Sequence, residues 1–164
     1  MLFRSVMDLL LERGMTMSAA ESCTGGLLAK RMTEFPGSSA VFAGGVVSYT
    51  NEMKMKVLGV KPETIDAHTV YSKEVAAEMA EGMRAITGSD IAVGITGLAG
   101  PDGDGIHKVG PVCIGLATPE KTFAIKVLIP GKNRENVRMI ATQRALDLVR
   151  RYFNGLSMDV GEVV

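Results

Sequence analysis

The sequence predicts an α/β fold, a three-layer α/β/α sandwich around a mostly parallel mixed sheet with one antiparallel member. Apolar runs of strand length alternate with helix-period segments through the first two-thirds of the chain. A hairpin pattern then precedes one last long helix. ESCTGG at 21–26, SYTN at 48–51 and TGLAGP at 96–101 each follow a strand pattern. Ligands in such sheets sit beyond the strand C-termini, so the three segments are expected to converge on one crevice.

Residues 1–13 carry Leu2, Val6, Leu9 and Leu10 on one helical face, with Gly14 as the stop. Residues 15–22 read as a short buried strand, and Thr24-Gly25-Gly26 opens a helix that ends before Pro36-Gly37. Val41 to Tyr49 is a second strand; Asn51 to Val57 is a short helix, and Pro62 starts a turn. Ser72 N-caps a helix over 73–87 that Gly88 terminates. Ile91 to Thr96 is apolar and β-rich, a central strand, and the glycine-rich loop 97–105 follows it. A hairpin over 111–117 and 122–129 leads to an amphipathic helix at 133–153. The domain is expected to span 1–155, with a frayed tail over 156–164.

At 164 residues the chain is long enough for one domain with a real core. Eighteen basic and eighteen acidic residues cancel, which argues against nucleic acid and against anionic membrane surfaces as partners. Cys23, Cys113, His68 and His107 have no metal-ligand spacing, so no metal is expected. With no disulfide framework or secretory signal, a cytoplasmic location is the default. Eleven methionines and no tryptophan point to a core filled with flexible side chains. A homo-oligomer is the leaning, with the N-terminal helix and the helix at 73–87 able to bury an interface.

The stretch from Glu21 to Lys54 concentrates the chemistry. Thr24, Gly25 and Gly26 at a helix start offer backbone N–H groups to a phosphate or oxyanion; the alternative is a tight turn capped by Ser22 or Thr24. Thr96, Gly97 and Gly100 are the corresponding substrate-binding candidates in the glycine-rich loop. A serine becomes a nucleophile only beside a base, and neither histidine has the aspartate pattern of a triad. Lys54 is the better base, because desolvation lowers a lysine pKa toward neutrality. Tyr49 is placed to relay a proton, and Ser38 and Ser39 also suit a simple turn after Pro36-Gly37. Arg134 and Arg138 share a helix face, where one of them reaches a phosphate or both serve a surface ion-pair face with Glu135.

Taken together, the stretch AESCTGG through VLGV at 20–60, VYSKEVAAEMAEGM, DIAVGITGLAGPDGDG and NRENVRMIATQRAL resemble the CinA C-terminal domain family. The resemblance runs from about residue 3 to residue 153 in the family's motif order. It implies an anticodon-binding-domain-like α/β/α sandwich and hydrolysis of the carboxamide of nicotinamide mononucleotide to nicotinate mononucleotide and ammonia, with no cofactor. It also implies that Ser39 is the nucleophile, Lys54 its base, Tyr49 the assisting hydroxyl, Ser22 a further active-site serine and Arg138 a contact to the nucleotide phosphate. The family's additional N-terminal molybdopterin-binding-like domain, and its pyrophosphatase activity, are expected to be absent. HKVGPVCIG at 107–115 departs from the family pattern at His107 and Pro111, which bears on substrate fit. The alternative function is a catalytically weak nucleotide-binding or interaction module tied to competence or DNA damage.

Overall fold

A computed structural model describes residues 2–129 and 133–161. The elements run α1 (Leu2–Arg13), β1 (Met17–Glu21), α2 (Leu27–Met32), β2 (Phe42–Val47), α3 (Asn51–Leu58), α4 (Pro62–His68), α5 (Lys73–Thr87), β3 (Ile91–Gly97), β4 (Pro111–Ala117), β5 (Thr122–Leu128) and α6 (Arg134–Phe153). A one-turn 3₁₀ segment, Ser38–Ala40, precedes β2. Pro62 opens more than a turn. It sits at the start of α4, where its fixed φ is already helical and its missing N–H is no loss, and Glu63 favours the same end.

The sheet order is β2-β1-β3-β4-β5. β1 pairs in parallel with β2 and β3, whereas β4 runs against both β3 and β5. Register aligns the strand ends: Glu21 lies opposite both Val47 and Ile95. The residues that follow β1, β2 and β3 therefore leave the sheet along one edge, as the strand-end rule requires for a shared crevice.

Side-chain alternation along β3 separates the two cores. Ile91, Val93 and Ile95 pack with Val6, Leu10, Leu28, Val137 and Leu148, joining α1, α2 and α6 to one face. On the other face Ala20 and Ala92 pack with Val75, Met79 and Met83 of α5 and Leu58 of α3. That second interface is tight because its strand residues are small. A Cβ on Gly94 would lie 2.3 Å from the Ala76 carbonyl oxygen, and one on Gly115 would lie 2.4 Å from the same atom. Met7, Met17, Met32, Met79 and Met83 are all buried, so these methionines fill core as expected.

The Ser72 hydroxyl caps α5 by accepting from Val75 N at 3.2 Å, and Gly88 ends that helix in the left-handed conformation. Residues 156–161 lie against the domain. Met158 and Val160 pack partly buried against the core, and Arg151 Nη1 donates to Ser157 O at 3.2 Å. The remainder of the expected tail, 162–164, lies outside the described residues. Among the described residues no helix is long and apolar enough to cross a membrane.

Candidate active site

The segment after β1 is organised by a buried acid. Glu21 is 1% exposed, and its two carboxylate oxygens accept from Leu28 N at 2.8 Å and Ala29 N at 3.0 Å. A carboxylate there is favoured by the positive end of the helix. Glu21 thus satisfies the Leu28 and Ala29 amides from within, and of the loop amides that the sequence offered to a substrate anion, Gly25 N donates to Ser22 O at 3.1 Å. Thr24 is buried, and its Oγ1 has no hydrogen-bond partner among the described residues. Gly25 and Gly26 both have positive φ, 62° and 97°, which closes the loop between strand and helix.

Gly25 has a second role. A Cβ there would stand 3.4 Å from the Arg138 guanidinium carbon, so the bare glycine lets the guanidinium lie against the main chain. Arg138 Nε donates to Cys23 O at 2.9 Å, and Arg134 Nε donates to Gly100 O at 2.6 Å. Each arginine is anchored through Nε to a backbone carbonyl, and both line one cavity of about 180 Å³.

The same cavity is lined by Ser22, Tyr49 and Lys54. Lys54 is presented by the first turn of α3, whose N-cap Thr50 accepts from Met53 N at 3.2 Å. Its side chain is 1% exposed, and it is the largest fully buried one in the chain's described part. Nζ lies 3.0 Å from Ser22 Oγ, 2.9 Å from Ser48 O and 3.4 Å from Tyr49 O. Burial pulls the Lys54 pKa down to about 8. The neighbouring Cys23 thiol is pushed up to about 12 by its own burial, so it stays uncharged and offers no counter-ion.

This geometry suits a neutral amine. A neutral lysine has two N–H bonds and one lone pair; the two carbonyls accept the two protons, which leaves the lone pair for Ser22 Oγ. When protonated, the third N–H is donated to the serine instead. The arrangement therefore serves both protonation states without rearrangement, as a base that takes and returns one proton must.

Ser39 does not join this group. It is exposed on the 3₁₀ segment that precedes β2, whereas Ser48 and Lys54 follow β2. A six-residue strand separates the two ends, roughly 20 Å at 3.3 Å per residue. The expected Ser39–Lys54 pair is thus replaced by Ser22–Lys54, because β1 and β2 are parallel and deliver their C-terminal residues to one edge. Tyr49 lines the cavity as a residue 60% exposed, and its hydrogen bond from Lys54 is to its carbonyl.

Of the other candidates, Gly97 and Gly100 line the cavity. Thr96 does not; its hydroxyl is spent on Val70 O at 2.9 Å. Asn51, Asp102 and Tyr71 also line the cavity, and of these Tyr71 had no signal in the sequence. Tyr71 comes from the α4–α5 connection, which reaches the site only through tertiary packing.

The fold and site define a class: an α/β/α protein whose parallel strands bring a buried serine–lysine pair and two anchored arginines to one cavity. The profile of the CinA C-terminal domain matches residues 1–153, and the chain belongs to that family. A relative from Caldanaerobacter subterraneus subsp. tengcongensis, a competence-damage inducible protein by name, is 52% identical over 155 residues, 94% of this chain and 37% of the relative. A Shewanella oneidensis protein named nicotinamide-nucleotide amidohydrolase PncC is 46% identical over 143 residues, 87% of this chain and 34% of that protein. The chain thus spans little more than a third of the curated relatives it matches. Among solved structures, a CinA superfamily protein from Klebsiella pneumoniae superimposes with a TM-score of 0.89 at 30% identity, covering 94% of this chain and 96% of that one.

Proposed function

We propose that this chain hydrolyses the carboxamide of nicotinamide mononucleotide to nicotinate mononucleotide and ammonia, with Ser22 as nucleophile and Lys54 as base. The observation that carries the reading is the 3.0 Å contact between Ser22 Oγ and a lysine whose pKa burial lowers to about 8, within reach of the neutral, proton-accepting form. The amidohydrolase name of the Shewanella relative supports the choice of substrate.

In this mechanism Ser22 Oγ attacks the amide carbon as its proton passes to Lys54 Nζ. The Cys23 amide, which follows the nucleophile in the cavity wall, donates to the developing oxyanion. One such donor is worth about 3 kcal/mol in the transition state. Lys54 then protonates the leaving nitrogen, the C–N bond breaks, and ammonia departs from an ester on Ser22. Water adds to the ester while Lys54 accepts its proton; the carboxylate leaves and Ser22 regains its hydrogen. Arg134 and Arg138 bind the 5′-phosphate through the guanidinium ends that their Nε anchors leave free.

Purified protein incubated with nicotinamide mononucleotide should release one ammonia per nicotinate mononucleotide formed, measured by coupled ammonia assay and chromatography. Binding of the nucleotide with no ammonia released would sink this reading and favour a nucleotide-binding module.

A further inference from the structure

Two of the residues lining the cavity are aromatic, Tyr49 and Tyr71. Their settings differ. Tyr49 is exposed, whereas Tyr71 is partly buried and held from several sides. Its main chain is tied to the sheet by two strands: Thr96 Oγ1 donates to Val70 O at 2.9 Å, and the Cys113 thiol donates to Tyr71 O at 3.5 Å. Its ring meets the His107 ring edge-on, with centroids 5.2 Å apart and planes at 77°.

His107 is fixed in turn. Asp104 accepts from the His107 amide at 2.6 Å and from the Ile106 amide at 2.9 Å, and its Oδ2 lies 2.8 Å from His107 Nδ1. Burial, and then the Asp104 carboxylate, raise the pKa of the Tyr71 phenol, so it stays neutral. Tethers from β3, from β4 and from the glycine-rich loop thus converge on one aromatic ring in the cavity wall. Core packing alone does not call for a ring immobilised beside an open cavity.

The ligand chemistry supplies a use for it. In the substrate of the reading above, the amide carbon is bonded directly to a flat pyridinium ring, so the ring must lie beside Ser22. That ring is positively charged, and the cavity already holds the fixed cations Arg134 and Arg138. An aromatic face attracts a cation that those arginines repel. Resting on that reading, we propose that Tyr71 is a specificity-determining residue. Its ring receives the cationic heteroaromatic ring of the substrate and selects it over uncharged rings of the same shape.

The test compares wild type, Tyr71→Phe and Tyr71→Leu by calorimetric binding of three ligands: nicotinamide mononucleotide, its reduced uncharged dihydropyridine form, and ribose 5-phosphate. Wild type and Tyr71→Phe should bind the oxidised nucleotide about tenfold more tightly than the reduced one. Tyr71→Leu should lose that ratio and keep its affinity for ribose 5-phosphate. A Tyr71→Leu protein that keeps the ratio, or that weakens for all three ligands equally, overturns the proposal. Wild type that hydrolyses the nucleotide but shows no oxidised-over-reduced preference overturns the Tyr71 role alone. Wild type that binds neither nucleotide removes the deamidase reading as well.

Discussion

Ser22→Ala should abolish amide hydrolysis, with a fall of at least about a thousandfold in kcat, while Ser39→Ala should retain the wild-type rate within about twofold. The size follows from the loss of a nucleophile in a unit that works together, where removing one member costs several orders of magnitude. The contrast follows from placement. Ser22 Oγ is 3.0 Å from Lys54 Nζ, and Ser39 is exposed at the opposite end of β2. Ser22 is nearly buried, and its alanine variant removes one hydrogen-bonded hydroxyl without opening a large cavity. Native circular dichroism and an unchanged ribose 5-phosphate affinity would therefore accompany the lost rate. A Ser39→Ala protein as inactive as Ser22→Ala would contradict the assignment.

Lys54→Met should be as inactive as Ser22→Ala, and it should alter the pH dependence of stability in a definite direction. In the folded protein the lysine titrates near 8, and in the unfolded chain near about 10.4. Between those values the unfolded state holds the proton and the native state does not, so stability rises with pH across that window. Below pH 8 both states are protonated, and the full cost of the buried cation is present. The difference in unfolding free energy, wild type minus Lys54→Met, should therefore increase by roughly 3 kcal/mol between pH 7.5 and pH 10.5. Taking the difference matters, because the raised thiol pKa values of Cys23 and Cys113 oppose it in both proteins. Wild-type kcat/KM should rise about tenfold per pH unit below 8 and level off above it. Lys54→Arg should not rescue activity, because a guanidinium stays charged. Urea titrations at several pH values and a pH–rate profile measure both effects; a flat difference curve would mean that Lys54 is not a depressed lysine.

Much of this arrangement was legible in the residues. Strand and helix periods placed all five strands, and the location of SYTN and ESCTGG after strands put them at one edge. Lys54 stood out because no histidine offered a better base. The strand-end rule also pointed to the serine that the structure places beside Lys54: Ser22 follows β1, whereas Ser39 precedes β2. The roles of Glu21 and Gly25 were harder to see. Glu21 looks like the polar end of a strand, and its work on α2 depends on how the 22–26 loop folds back. Gly25 reads as turn chemistry, and the contact that requires it comes from Arg138, more than a hundred residues away in sequence. Tyr71 had no local signal, since its position is set by Thr96 and Cys113 on β3 and β4.

The most direct test of the Ser22–Lys54 account is to quench a reaction with nicotinamide mononucleotide in acid during turnover and map the acylated peptide by mass spectrometry. The account predicts a nicotinoyl-nucleotide ester on Ser22, lost in Ser22→Ala and retained in Ser39→Ala. An ester on Ser39, or full turnover by the Ser22→Ala protein, would contradict it.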